Sequence, residues 1–266
     1  MEKYKLFSFD IDGTLLPYTN KDFYPEIKEM FVKLKEKNKV VVFCTGREMI
    51  TIGSLLDDVS VDYFLGANGS FIYDCKSKKI IYEDKISHKE FKMLSNFLEN
   101  EKCDHSVMTE NYGYFSEGHS FDNWFLRDHV EKFKNLNELE FEKENLHIIT
   151  VKTSDPNMIE KTKKFLKENN LDLEINSTWS KGFFINKINS NKASGLKKLG
   201  KILNIDLSEM MAFGDGSNDY EMIKEVGYGV AMEGAPDYVV EVANDKTSSA
   251  TEMGTYLKLK ELGIIS

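Results

Sequence analysis

The sequence predicts an α/β protein, with a doubly wound, mostly parallel sheet of Rossmann-like type and an inserted α+β domain. Three patterns carry that reading. Short apolar runs alternate with helical stretches between residues 4 and 65. The same alternation returns after Ser190. Between the two, strands and helices follow one another without regular order. Continuous apolar strands separated by helices make a parallel sheet covered on both faces, whereas irregular order suits an antiparallel insert.

Tyr4–Phe9 is an apolar-aromatic run that stops at Asp10, and it reads as a buried strand. Between Pro25 and Asn38, Ile27, Met30, Phe31 and Leu34 recur at helical spacing among Lys and Glu. Lys39–Phe43 is a β-branched strand ending before Thr45-Gly46. Glu48–Val59 reads as a helix and Tyr63–Leu65 as a third strand, followed by Gly66-Ala67-Asn68-Gly69. In the middle, residues 70–73 and 79–82 suggest a hairpin, and 88–98 and 157–169 suggest helices. Strands are expected within 104–117 and at 146–151, 171–178 and 182–188. Parallel order then resumes with helix 193–203, strand 209–213, helix 219–226, strand 228–232 and a last helix at 252–262. With 266 residues there is room for two modest domains. The expected division is a core of 1–82 and 188–266, with an insert of 83–187.

Composition narrows the function. The chain has 35 Lys+Arg against 44 Asp+Glu, a formal net charge of -9, and no basic block. Nucleic acid and anionic membranes are therefore poor partners. No apolar run approaches the roughly 18–20 residues of a membrane span. The start, MEKYKLFSFDIDGTLL, lacks the pattern of a signal peptide. Cys44, Cys75 and Cys103 are widely spaced and form no CxxC pair, which argues against a disulfide framework or a zinc site and suits a cytoplasmic protein. No protein partner is evident.

In open α/β sheets, ligands bind beyond the carboxyl ends of the strands. Asp10, Thr45 and Asn68 all fall there. So does Asp10-Ile11-Asp12-Gly13-Thr14, which by itself reads equally as a turn. A second cluster, Gly214-Asp215-Gly216-Ser217-Asn218-Asp219, follows the run Met210–Phe213, and its Asp219 also reads as a helix N-cap. Together these segments bring four carboxylates to adjacent strand ends. Two unit charges about 4 Å apart repel by about 4 kcal/mol at an effective dielectric of 20. Such a cluster calls for a cation. Oxygen ligands without His or Cys favour Mg²⁺, and carboxylates with Mg²⁺, a Thr and a Lys suit phosphoryl transfer.

FDIDGTLL, Thr45-Gly46-Arg47, Asn68-Gly69, Lys192 and GDGSNDYEMI, in this order over essentially the whole chain, resemble the haloacid dehalogenase superfamily. The closer resemblance is to its Cof-type, subclass IIB phosphatases. It implies a core that carries the chemistry and a cap, the insert, that closes over the site and contacts substrate. It implies Mg²⁺-dependent hydrolysis of a small phosphate monoester, a sugar phosphate or similar metabolite, through an aspartyl-phosphate. Asp10 would be the nucleophile, Asp12 the general acid and base, Thr45 a phosphoryl ligand and Lys192 the charge-balancing cation. Phosphate would be held by Asp10, Ile11, Asp12, Thr45, Gly46, Lys192 and Asn218. The metal would be held by Asp10, Asp12 and Asp215, with Asn218 and Asp219 in support. Two rival readings stand beside this one, a sugar-phosphate phosphomutase and a non-catalytic phospholigand-binding protein. Met232-Glu-Gly-Ala235 departs from the Met-Gly-Asn-Ala usual in relatives.

Other candidates read more plainly. Arg47 can contact phosphate or pair locally. The five His residues lie in the insert, and of these His119 is the one placed to reach a substrate. Tyr112, Tyr114, Phe115, Phe121, Trp124 and Phe125 can stack on a sugar but suit the insert's own core better. Cys44 reads as a buried strand residue.

Overall fold

The structure, a computed structural model, describes residues 3–117, 119, 127–140 and 143–266. Phe121, Trp124 and Phe125 lie outside the described residues. The chain divides into two compact units. The first holds Met1–Gly46, Ser54–Tyr82 and Asn191–Ser266. The second holds Arg47–Gly53 and Glu83–Ser190. The sequence reading placed the second unit at 83–187 and kept 47–53 in the first.

The first unit contains β1 (Leu6–Phe9), α1 (Pro25–Glu36), β2 (Val40–Cys44), a short helix α3 (Leu55–Asp58), β3 (Tyr63–Gly66), β4 (Phe71–Asp74) and β5, which runs Lys79–Glu83. The preceding helix α2 (Met49–Ile52) belongs to the second unit. After the insert come α6 (Lys192–Leu203), β12 (Met210–Gly214), α7 (Tyr220–Glu225), β13 (Tyr228–Met232), α8 (Asp237–Val242), β14 (Asp245–Thr247) and α9 (Gly254–Glu261). Among the described residues the sheet order is β14-β13-β12-β1-β2-β3-β4-β5. The strands from β14 to β3 are parallel, and β4 runs antiparallel to β3.

Strand periodicity of two explains how both faces are covered. Phe9, Phe43 and Phe213 point to the α1 side, where Phe9 stacks on Phe213 at 5.2 Å and meets Phe31 at 5.7 Å. Leu6, Val42 and Ala212 point to the other side, against Leu196 and Leu199 of α6 and Met222 of α7. Continuous apolar strands are the consequence of having no solvent face. Cys44 lies in this packing, fully buried, and burial pushes its thiol up to about 12. All three cysteines are free.

The second unit contains α4 (His88–Asn100), β6 (Asp104–Met108), β7 (Gly113–Phe115), β8 (Phe133–Asn135), β9 (Ile148–Lys152), α5 (Met158–Glu168), β10 (Leu173–Trp179) and β11 (Gly182–Lys187). Its sheet order is β10-β11-β9-β6-β7-β8 among the described residues, antiparallel except for the β7–β8 pair. Phe91, Leu94 and Leu98 of α4 pack on Val107, Tyr114, Ile149, Val151, Phe183 and Ile185. Tyr114 is thus core, as the sequence suggested.

Some expectations change. The helix expected over 48–59 is two short helices, because Gly53 takes a φ of 56° and ends the first. β8, α8 and β14 were not foreseen. They are too short, and β14 too polar, to show a period. No helix among the described residues is long and apolar enough to cross a membrane.

Candidate active site

β1 is central in its sheet, with Phe9 in register with Phe213 on one side and Phe43 on the other. The residues that follow these three strands therefore meet at one edge. Asp10 leaves β1 with its amide on the Phe213 carbonyl at 3.0 Å. Thr45 leaves β2, its amide donating to Leu65 and its carbonyl accepting from Asn68, both at 3.0 Å. Asp215 follows β12. Lys192 opens α6, whose preceding residue Asn191 accepts a hydrogen bond from the Ser194 amide at 2.9 Å. That cap fixes where the helix begins, and so where Lys192 stands.

Lys192 is wholly buried, with Nζ 2.6 Å from Asp10 Oδ1 and 2.6 Å from Asp219 Oδ1. Burial opposes its charge, yet the two carboxylates hold the ammonium above its usual range. Most lysines are solvated at the surface, and this one is not. Asp219 is also fully buried, and its second oxygen accepts from the amides of Asp215 at 3.1 Å and Gly216 at 2.9 Å. Its carboxylate ties back the loop before α7 and makes no cap bond to the helix. Asp219 does stand at the N-cap position of α7, as the sequence suggested, but its side chain is spent on the loop and on Lys192.

The loop after β1 turns on Ile11, whose carbonyl accepts from the amides of Thr14, Leu15 and Leu16. Gly13 has a φ of +86°, and a Cβ there would lie 2.3 Å from Asp215 Oδ2. The carboxylate cannot simply move aside. Thr14 Oγ1 donates to Asp215 Oδ1 at 2.9 Å and the Tyr18 hydroxyl to Oδ2 at 3.0 Å. Gly13→Ala is therefore expected to lower the melting temperature by a strain of about 1–3 kcal/mol and to weaken divalent-metal binding. Calorimetry with and without Mg²⁺ checks this, and a variant equal to wild type in both would show that the turn tolerates a side chain.

Electrostatics single out the same atoms. Burial pushes the Asp10 carboxyl well above its ordinary value; Lys192 pulls it down, and Asp219, Asp215 and Asp12 push it up again. Burial and the charge on Asp219 push Asp215 up to about 6, against the hydrogen bonds from Thr14 and Tyr18. One oxygen from each of Asp10, Asp215 and Asp219 lies within 4.8 Å of the others. Three close carboxylates share a single buried ammonium, and every donor is a hard oxygen. That set fits a small divalent cation such as Mg²⁺.

Asn218 sits beside this group, its Nδ2 donating to Asn68 Oδ1 at 2.9 Å. Gly46 faces the same amide, since a Cβ there would lie 3.2 Å from Asn68 Oδ1. Two further candidates belong to the second unit. Arg47 belongs to the second unit, where its Nη1 donates to the Thr51 carbonyl at 2.9 Å. His119 is held within the second unit, Nδ1 2.6 Å from Asp104 and Nε2 3.1 Å from the Lys152 amine.

Sequence reasoning missed two residues of the site. Thr14 lay inside a quoted motif but was assigned no partner. Tyr18 carries no sequence signal, because its role depends on reaching a residue 197 positions away. Separately, Glu48 is buried in the second unit, neither of its oxygens has a hydrogen-bond partner among the described residues, and burial raises its carboxyl well above the usual range.

A family model described as haloacid dehalogenase-like hydrolase matches residues 7–259. The chain is 29% identical over 255 residues to a Bacillus subtilis protein named 5-amino-6-(5-phospho-D-ribitylamino)uracil phosphatase, covering 94% of this chain and 92% of that one. An Escherichia coli protein of the same name is 25% identical over 264 residues, covering 94% and 93%. Among solved structures, a HAD subclass IIB sugar phosphatase superposes with a TM-score of 0.83 at 23% identity, covering 98% of this chain and all (100%) of that one. A haloacid dehalogenase-like hydrolase from B. subtilis gives a TM-score of 0.84 at 24% identity, covering 97% and 99%. At these identities the structural likeness speaks for the fold.

Proposed function

The chain belongs to the haloacid dehalogenase-like hydrolase family, and from that premise we propose that it hydrolyses a small phosphate monoester through an aspartyl-phosphate on Asp10. In this reading the first unit does the chemistry and the inserted unit is its cap. The observation that carries it is the buried bridge of Lys192 between Asp10 and Asp219, with Asp215 beside them.

Lys192 holds Asp10 Oδ1, which leaves Oδ2 to attack phosphorus. As the new O–P bond forms, the bond from phosphorus to the substrate oxygen breaks, and Asp12 donates a proton to that oxygen. Asp12 then takes a proton from a water that attacks the aspartyl-phosphate, releasing phosphate and restoring Asp10. Thr45, Gly46, Asn218, Lys192 and the backbone around Ile11 hold the phosphoryl oxygens. Asp10, Asp215 and the backbone of Asp12 would hold Mg²⁺, with Asn218 and Asp219 in support. When bound, the ion supplies positive charge at the phosphoryl group. The protein's part is positioning and charge neutralisation, as phosphoryl transfer requires.

The substrate is a phosphorylated metabolite, a sugar phosphate or similar. A panel of sugar phosphates, nucleotides and phosphorylated ribitylaminouracil, the last because two relatives are named for it, is expected to yield inorganic phosphate. Isomerised sugar phosphate without free phosphate would replace hydrolysis by a mutase reaction. No turnover on any ester with Mg²⁺ would leave a binding protein. Excess EDTA is expected to stop hydrolysis and added Mg²⁺ to restore it. Persistent activity in chelator would remove the metal from the mechanism.

A further inference from the structure

Asn68 was singled out by its place after the third strand, yet the mechanism above gives it no role. It is 1% exposed. Its Oδ1 is engaged by Asn218 Nδ2 at 2.9 Å, while its own Nδ2 has no hydrogen-bond partner among the described residues. A buried amide nitrogen left unpaired costs about 1–3 kcal/mol. Such groups call for an explanation, and a ligand is one.

The surroundings point to which ligand. Ala67, Asn68 and Gly69 have φ values of 52°, 56° and 88°, three left-handed residues in a row. The Asn68 amide donates to the Thr45 carbonyl at 3.0 Å. A Cβ on Gly69 would lie 2.4 Å from the Asn191 carbonyl and 3.2 Å from Lys192 Cα. The strained turn is thus fastened to the Thr45 loop, to the start of the Lys192 helix and, through Oδ1, to Asn218. Those three segments carry proposed phosphoryl contacts. The free end of the amide can only donate, and a phosphoryl oxygen can only accept.

We infer that Asn68 is a phosphoryl-binding residue, donating from Nδ2 to an oxygen of the phosphate group. The inference rests on the phosphatase reading and adds to it a neutral donor set between Thr45 and Asn218. A neutral donor contributes without raising the positive charge that Lys192 and a divalent cation already supply.

The test uses the full-length protein with Mg²⁺ and two probes, inorganic phosphate and orthovanadate. Asn68→Gly keeps the left-handed backbone and removes the amide. It is expected to weaken binding of both probes, and to raise KM, by roughly 10- to 100-fold, the range for a hydrogen bond to a charged group. Asn68→Asp keeps the shape and the acceptor for Asn218 but places an oxygen where the donor stood, so its loss is expected to be larger. Mg²⁺ affinity, measured by calorimetry without phosphate, is expected to fall far less than anion affinity in Asn68→Gly and not to fall in Asn68→Asp, whose added charge favours a cation. If either folded variant binds phosphate and vanadate as the wild type does, the inference is overturned while the phosphatase reading stands. A wild-type protein that neither binds these anions nor hydrolyses any ester overturns both.

Discussion

Asp10→Asn protein is expected to fold normally and to lose hydrolysis by on the order of 10⁵- to 10⁶-fold, the scale seen when a catalytic nucleophile is removed. The substitution keeps the shape of the side chain. Its carbonyl oxygen still accepts from Lys192, whose Nζ stands 2.6 Å from Asp10 Oδ1. Only the nucleophilic charge is gone. Stability should hold or rise, because burial and three neighbouring carboxylates already work against an ionised group at this position. Single-turnover phosphate release and a melting curve measure the two effects. The wild type should also yield a trappable acyl phosphate that the variant does not. Substantial activity in Asp10→Asn protein would sink the covalent route.

Lys192→Met should damage fold and function together. The side chain is wholly buried between Asp10 and Asp219, and Met fills a similar volume without the charge. Breaking a buried ion pair by removing one partner typically costs 3–5 kcal/mol, since it leaves an uncompensated charge. The sign of the pH dependence follows. Without the ammonium, Asp10 loses the charge that pulls its carboxyl down, and both Asp10 and Asp215 stand above their ordinary values. Their protonated forms are tolerated in the fold, so the stability these two carboxyls contribute is fully present below about pH 4, the unfolded range, and is lost as pH rises through the higher folded values. The variant's deficit relative to wild type is therefore expected to be larger at pH 8 than at pH 5. Mg²⁺ should recover part of the stability and little of the activity, because the cation cannot replace the contact with the nucleophile. Equal melting temperatures for variant and wild type across that range would mean the cluster does not depend on Lys192.

The residues that do chemistry in this account were largely legible as letters. Asp10, Thr45, Lys192, Asp215 and Asp219 stood at the ends of apolar runs or the start of a helical one, and parallel-sheet topology brings such ends to one edge. The strands themselves were legible because burial on both faces leaves no room for polar residues. Glu48–Val59 misled, because a helical pattern does not reveal that Gly53 will take a left-handed backbone. β14 and α8 were invisible because their order comes from neighbours.

Composition pointed to an acidic chain ill-suited to polyanions, and that reading concerned the surface. Inside, the local sign is set by packing. The sequence alone determined the fold class, the strand ends and the residue types at the edge, since these follow from periodicity and from which side chains water excludes. Only the tertiary structure decided that Lys192 serves two carboxylates, that the carboxylate of Asp219 braces the loop before α7, that Thr14 and Tyr18 hold Asp215, and that Asn68 keeps a donor unpaired among the described residues. Each of those depends on distances of a few ångströms between residues far apart in the chain, and no local pattern encodes such distances.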